Sequence, residues 1–469
     1  MRTFFKAVTL FFLFETLFVS CSSKHRHHSN DSDTSFVKGK VTELIKCRYD
    51  ATQSYALYLP ASYDKNKKWP IVYMFDPHGK GSLPLKKYSS IAEKFGYILI
   101  GSNNSKNGLS MNMIKIIFDT LYSDSHRKFS IDDMAVYAAG FSGGSRVASN
   151  LATYGKIKSV IGCGAAMSST DANSANKFGY FGIVGNEDFN LTEMLAIKDV
   201  LDKTATPHCF TIFNGKHEWP PDSVMQQAFL WTDIQAMKKK IKDADYSIAD
   251  TFYYKWTKEF EQIKTTDQYD AYLLCEKIIS FFDGIKDVTT FKTILEELKK
   301  NATVITAIEK QKIISVKESL LRAEYTVAMN DKDTTWWKQQ VAMINQQIKK
   351  ASEKSTAQMY KRILNYLSLV AYMNASSTIK ANNFDTAFKY VEIYSLVDPG
   401  NPEHAYLKAS LLMKKGKLSD ALASLENAAQ LGFAESDRLE RDTVMDRLRS
   451  LEKYSEILDS IKSNVDKEK

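Results

Sequence analysis

The chain has 469 residues, room for two to four domains at about 100–200 residues each. Its 63 basic and 55 acidic side chains leave a net charge of +8 spread without a dense basic stripe, which argues against a nucleic-acid-binding surface. Hydrophobic content of 44% and charged content of 25% are those of an ordinary globular chain, and its 5 cysteines form neither a C-x-x-C pair nor a disulfide framework.

Residues 1–20 carry Arg2 and Lys6 ahead of the apolar runs Ala7–Phe14 and Leu17–Val19. That is a charged segment followed by a hydrophobic one too short for a comfortable membrane span. Ser20-Cys21 closes it in the manner of a bacterial lipoprotein signal, so Cys21 is expected to be the lipidated first mature residue. An uncleaved anchor is the alternative, and both readings place the protein outside the cytoplasm on a bacterial membrane. Residues 21–35 are polar and read as a tether. His25, His27 and His28 fall in it and read as solvated linker residues. No metal and no cofactor is expected. The other cysteines, Cys47, Cys163, Cys209 and Cys275, read as buried small hydrophobes.

Residues 36–235 alternate short apolar strands with helical runs. Phe36–Lys46 and Gln53–Leu59 alternate as strands do, and Trp69–Phe75 (WPIVYMF) is continuously apolar, as in a strand buried on both faces. Tyr88–Phe95 predicts a helix, Tyr97–Gly101 a strand, and Met111–Tyr122 an amphipathic helix. Met134–Ala139 then runs into Gly140-Phe141-Ser142-Gly143-Gly144 and a helix carrying Val147, Ala148 and Leu151. Strand, G-x-S-x-G and helix make a sharp turn that lifts one serine hydroxyl above a sheet. Ser159–Cys163, Tyr180–Val184 and His208–Phe213 complete the strands, with a helix at Leu191–Leu201 between the last two. The pattern predicts a βαβ architecture around a mostly parallel sheet, with chemistry beyond the carboxyl ends of the strands.

A serine hydroxyl needs a base to take its proton, and the base needs a third group to orient it. His217 is separated from the last strand by the three residues Asn214-Gly215-Lys216 and is the candidate base. Asp188 completes Gly185-Asn186-Glu187-Asp188 after Tyr180–Val184 and is the candidate acid; Glu187 and Asp171 are its rivals. Ser142, Asp188 and His217 follow the chain order of α/β-hydrolases. The oxyanion of the intermediate needs preset N–H donors. Gly143 supplies one. The second is expected from His78-Gly79-Lys80-Gly81, with Lys80 preferred and Gly79 next. Trp219 and Phe141 are candidate substrate contacts, although Trp219 reads equally as a packing anchor where Pro220 and Pro221 start a helix.

Tyr55-Ala56-Leu57-Tyr58-Leu59-Pro60, the His78-Gly79 loop, GFSGG, the G-x-x-D acid and His217-Glu218-Trp219-Pro220 together resemble the α/β-hydrolase superfamily. Within it they resemble the secreted feruloyl-esterase-like or polyhydroxyalkanoate-depolymerase-like serine esterases. The resemblance covers roughly residues 40–240. It implies two-step acyl transfer on a carboxylic ester. It departs from the family at Asp76 and Lys80, where apolar or glycine neighbours are usual. The segment Gly164–Lys177, where such enzymes often insert a lid, is short and polar, so an open site on a polar or glycan-borne ester is expected. A peptidase or thioesterase would use the same triad.

Residues 236–469 lose all strand signal. Phe384-x-x-Ala387 recurs as Leu418-x-x-Ala421, Ala375 as Ala409 and Val391 as Leu425, a 34-residue spacing. This resembles tetratricopeptide repeats, clearest over 371–433, and at least three units are usually needed to bury a core. The expected fold class is therefore an α/β-hydrolase fold with a mostly parallel sheet followed by an all-α repeat domain. The helices are expected either to bind a protein partner or to cap the hydrolase. A second reading of the whole chain is a non-catalytic lipoprotein scaffold.

Overall fold

The computed structural model describes residues 36–467 apart from 175, 176 and 244. The signal segment, Cys21 and the tether fall outside the described residues. Among the described residues no helix is long and apolar enough to cross a membrane.

The eight strands are β1 (Val41–Lys46), β2 (Ser54–Tyr58), β3 (Trp69–Phe75), β4 (Ile98–Ser102), β5 (Ile131–Phe141), β6 (Ser159–Cys163), β7 (Gly179–Gly185) and β8 (His208–Phe213). They form one sheet in the order β1-β2-β4-β3-β5-β6-β7-β8, antiparallel from β1 through β2 to β4 and parallel from β4 to β8. This is the α/β-hydrolase fold, with the serine turn after the central strand β5. Its inner parallel strands β3, β4, β6 and β7 are buried on both faces, and Ile71–Phe75 and Tyr180–Ile183 are almost fully covered, whereas Ile212 on the edge strand β8 is exposed. That is why the inner strands read as apolar runs and not as alternating ones.

The helices of this layer are α1 (Ser82–Phe95), α2 (Met111–Lys128), α3 (Gly143–Ala152), α4 (Ser169–Ala172), α5 (Leu191–Leu201) and α6 (Asp222–Lys238). Two run longer than their apolar spacing predicts. α1 starts at Ser82 because Pro84 sits harmlessly in its first turn, where an N–H has no intrahelical acceptor. α2 continues through Arg127 and Lys128, cations well placed at the negative end of a helix dipole.

The rest of the chain is helical: α7 (Ser247–Ile263), α8 (Gln268–Phe282), α9 (Thr289–Leu298), α10 (Ala302–Asp331), α11 (Thr334–Lys350), α12 (Lys354–Lys380), α13 (Phe384–Val397), α14 (Pro402–Lys414), α15 (Leu418–Gln430), α16 (Ser436–Arg441), a 3-10 turn (Thr443–Leu448) and α17 (Glu452–Lys467). Side-chain caps start five of them: Asp267 accepts from Asp270 N–H at 2.9 Å, Asn301 from Thr303 N–H at 2.9 Å, Asp333 from Trp336 N–H at 2.8 Å, Asn401 from Glu403 N–H at 3.1 Å and Asp442 from Val444 N–H at 3.0 Å.

One apolar cluster runs from the sheet through α6 into α7, α8 and α9, without a break near residue 235. Phe281 of α8 meets Phe181 of β7 edge-on at 5.9 Å and Trp256 of α7 at 4.8 Å. Residues 37–469 form one compact unit. The residues spaced by 34 take equivalent places: Ala375, Ala387, Ala409 and Ala421 are fully buried where helices cross. α12, with 27 residues, is twice the length of α14, with 13, so the first of these hairpins is much the longer.

Candidate active site

The serine turn is built by close approach of backbones. A Cβ on Gly144 would lie 1.9 Å from the carbonyl oxygen of Phe75, and one on Gly140 would lie 2.1 Å from that of Gly144. Only glycine lets α3 start this close to β3 and β5. Ser142 itself has φ 52° and ψ −121°, a backbone conformation L-residues avoid at a cost on the order of 1–3 kcal/mol. Its N–H donates to Cys163 O at 2.8 Å, which helps hold it there. The Cys163 thiol beside it is buried, and burial pushes its ionisation well up, so it is no rival nucleophile.

The structure brings the three predicted residues together. His217 Nε2 lies 3.0 Å from Ser142 Oγ, and His217 Nδ1 lies 2.9 Å from each carboxylate oxygen of Asp188. Asp188 is wholly buried and also accepts the N–H of Asn190 at 2.8 Å. The imidazole is flanked by two rings, Phe189 at 4.3 Å and Phe141 at 4.7 Å. The rival acids are engaged elsewhere. Glu187 pairs with Lys361 at 2.7 Å, and Asp171 accepts from Asn150 at 3.1 Å.

The acid turn and the base loop are stitched to each other. Asn186 N–H donates to Phe213 O at 2.8 Å and Glu187 N–H to Gly215 O at 3.0 Å. The Asn186 amide also donates to Asn214 Oδ1 at 3.0 Å.

The loop after β3 departs from expectation. The N–H of Lys80 points at Asp76 Oδ1 at 3.4 Å, and that of Gly79 donates to Asp76 O at 3.1 Å. Both are thus turned into a cap formed by the buried Asp76, which also accepts His78 N–H at 2.9 Å. Neither is a free donor here. The Asp76 carboxylate holds the Lys80 N–H, and its backbone carbonyl closes a turn on Gly79. Gly143 keeps its predicted place: as the first residue of α3 its N–H has no intrahelical acceptor. Asn107, which the sequence did not single out, lies against it. Its Oδ1 is 1.8 Å from where a Cβ on Gly143 would sit. No local motif marks Asn107, because a fold-level approach of the loop after β4 places it there.

Trp219 is only 9% exposed. Its indole N–H donates to Asp76 Oδ2 at 3.2 Å and its ring meets Tyr88 at 5.8 Å and Phe141 at 5.6 Å. These contacts are those of a packing anchor. Phe141 is half-buried between Trp219 and His217. The four described cysteines are free and buried.

The segment Gly164–Lys177 carries only the four-residue α4 among its described residues. The site is nonetheless not bare. Helices from the C-terminal part reach it on two sides, at Glu187 through Lys361 and at Lys80 through Glu435.

No family model matches the chain, and no curated protein matches it. Solved structures do. An S-formylglutathione hydrolase from Staphylococcus aureus aligns at 15% identity with a TM-score of 0.32, covering 38% of this chain and 92% of that one. A feruloyl esterase module from Clostridium thermocellum, complexed with sinapinate, aligns at 14% identity and 0.34, covering 40% and 84%. An S-formylglutathione hydrolase from Agrobacterium tumefaciens aligns at 12% identity and 0.34, covering 38% and 88%.

Proposed function

We propose that this chain is a serine hydrolase that cleaves carboxylic esters through an acyl-enzyme, with Ser142 as nucleophile, His217 as general base and then acid, and Asp188 as the residue that orients the imidazole. The observation that carries the reading is the line Ser142 Oγ, His217 Nε2 at 3.0 Å, His217 Nδ1, Asp188 at 2.9 Å, built on a serine in a strained backbone. His217 removes the hydroxyl proton as Ser142 Oγ attacks the ester carbonyl. The Gly143 N–H stabilises the oxyanion. His217 then gives the proton to the leaving alcohol, and water repeats the attack on the acyl-enzyme.

A polar or glycan-borne ester is the substrate class we favour, because the short polar segment after β6 supplies no large apolar surface for long acyl chains. Lipidation of Cys21 would hold the enzyme at a bacterial membrane, and the repeat-like helices α12 to α15 would offer a surface to a protein partner.

Fluorophosphonate labelling and hydrolysis of acetyl, feruloyl and long-chain p-nitrophenyl esters test the reading. Labelling of the wild type, its loss in Ser142→Ala and a preference for the short or aromatic acyl groups are expected. A folded wild type that takes no label is the outcome of a non-catalytic scaffold and overturns the enzyme reading. Preference for long aliphatic chains overturns the substrate class alone.

A further inference from the structure

The turn that carries Asp188 is held from outside by the C-terminal helices. Arg362 of α12 donates from Nη1 to Asn186 O at 2.8 Å, Asn365 donates to Glu187 O at 2.8 Å, and Arg322 of α10 donates to Phe189 O at 2.6 Å. These three carbonyls flank the acid on both sides. The two arginines are themselves fixed by Glu318, which is wholly buried. Arg362 reaches its Oε2 from Nε at 2.9 Å and from Nη2 at 2.6 Å, and Arg322 donates to its Oε1. Burial pulls the Arg322 guanidinium below its ordinary value and the Glu318 carboxylate opposes that, as expected of a cation taken out of water and given a partner.

The arrangement has a direction. The two guanidinium groups outnumber the one carboxylate, so their remaining donors turn to the partial negative charge of the turn's carbonyls. A fork between carboxylate and carbonyl fixes angle as well as distance. The opposite side of the same turn, its N–H groups, holds Phe213 O and Gly215 O of the loop that leads to His217. The acid turn is therefore a plate between base loop and helices. Freed from the helices, its outward carbonyls would meet water and the turn would lose these three constraints as well as the Lys361 pair with Glu187. The second link to the helices, Lys80 to Glu435 at 3.4 Å, joins side chains 56% and 44% exposed and contributes little by comparison.

The geometry points to α10 and α12 as a positioning element of the active site: Arg322 and Arg362, organised by Glu318, together with Asn365 set the acid turn so that Asp188 faces His217 Nδ1. This rests on the reading of Ser142, His217 and Asp188 as a catalytic triad. It assigns the C-terminal helices a part in turnover distinct from both partner binding and passive capping. None of these residues touches substrate; they act through Asp188.

The test uses the full chain with Asn365→Ala, Arg362→Lys and Arg362→Ala. Asn365→Ala removes one neutral donor and leaves no buried charge unpaired, so it keeps the test open if Arg362→Ala does not fold. Hydrolysis of p-nitrophenyl acetate is expected to lose about 10- to 100-fold in kcat with KM changed by less than about threefold, since misplacing a catalytic group by a fraction of an ångström acts on the transition state and not on substrate binding. Guanidinium ion at a sub-denaturing concentration is expected to restore part of the rate to Arg362→Ala and none to Asn365→Ala, a response that a general loss of packing does not give. Hydrogen exchange at the Asn190 amide, which donates to Asp188, is expected to speed up in all three variants. Folded Asn365→Ala and Arg362→Lys with wild-type kcat, or with unchanged exchange at Asn190, overturn the proposal. A wild type inactive on every ester overturns the enzyme reading instead, and the exchange measurement still reports whether the helices hold the turn.

Discussion

Trp219 and Asp76 are joined by an indole N–H to carboxylate hydrogen bond of 3.2 Å, across the gap between the base loop and the loop after β3. Asp76 is buried, and its other oxygen caps the turn that follows it through His78 N–H. One carboxylate thus fixes two loops at once, and the tryptophan that carries the bond follows His217 by two residues. Trp219→Phe keeps most of the ring contact with Tyr88 and Phe141 but leaves the Asp76 oxygen short of a donor. We expect a loss of about 1–3 kcal/mol in urea unfolding, the usual range for a buried polar group deprived of its partner and at its upper end for a carboxylate, with kcat reduced less than about tenfold. A stability equal to wild type would mean that the bond is replaced by water.

The pairing of His217 with Asp188 is symmetric in distance, 2.9 Å to each oxygen, so the imidazole must present Nδ1–H to a group that only accepts. Asp188→Asn puts an amide where the carboxylate was and allows the opposite tautomer, with the proton on Nε2, where it cannot take one from Ser142. The expected loss in kcat is on the order of 10⁴, as in the serine protease that serves as the reference for this change, with KM little altered. Steady-state kinetics on one ester checks it. A loss below about tenfold would show that His217 is oriented by its flanking rings, Phe189 and Phe141, and not by the acid.

Burial raises the thiols of Cys209 and Cys275, each to about 11. An unfolded cysteine ionises near its ordinary value of about 8.5, so between there and pH 11 the unfolded chain releases protons that the folded one keeps. The sign follows: these thiols contribute stability that is fully present below about pH 8.5 and is lost as pH rises through 11. Urea midpoints measured from pH 7 to pH 10.5 are expected to fall over the upper part of that range, and the fall should shrink in a Cys209→Ser and Cys275→Ser double variant. In the native protein at pH 8 neither thiol should react with iodoacetamide.

How far the site was legible in the sequence depends on the range of the interaction that builds it. The elbow is local: Gly140 and Gly144 are there because backbones touch within five residues and at one neighbouring strand, and the motif records it. The proposed acid and base each follow a strand end, so strand assignment and chain order single out Asp188 and His217, which the structure brings within hydrogen-bonding distance of each other. The second oxyanion donor was not legible. Lys80 and Gly79 are in the expected loop, but their N–H groups turn toward Asp76, and a side chain capping its own loop leaves no periodic trace. The grip of the helices on the acid turn was invisible for a different reason. Arg322 reaches Phe189 across 133 positions and Asn365 reaches Glu187 across 178. In sequence Glu318 and Arg322 are an i,i+4 pair like those of any solvated helix, and only the fold shows that Glu318 is wholly buried. The packing of α7 to α9 onto the sheet's own cluster was hidden likewise, because composition changes near residue 235 while the apolar core does not.

Gly185 tests the contact between acid turn and base loop most directly. It ends β7, and a Cβ there would lie 2.4 Å from Gly215 O and 2.5 Å from Lys216 O, distances that real side chains do not reach. Both atoms are backbone, so nothing flexible can swing aside, and the loop leading to His217 must move. The helices hold the turn on its far side through Arg362 and Asn365, so it is the base loop and not the acid turn that should yield. Gly185→Ala is therefore expected to stretch His217 away from Asp188 and Ser142 while the sheet remains intact. Overpacking of this kind costs about 1–3 kcal/mol, and a shift of about 1 Å at a catalytic group costs about 100-fold in rate. The variant should fold, unfold at a lower urea concentration than wild type, and lose fluorophosphonate labelling rate in proportion to kcat. A labelling rate equal to wild type would show that base loop and acid turn shift together as one body, and that the helices do not fix the turn against them.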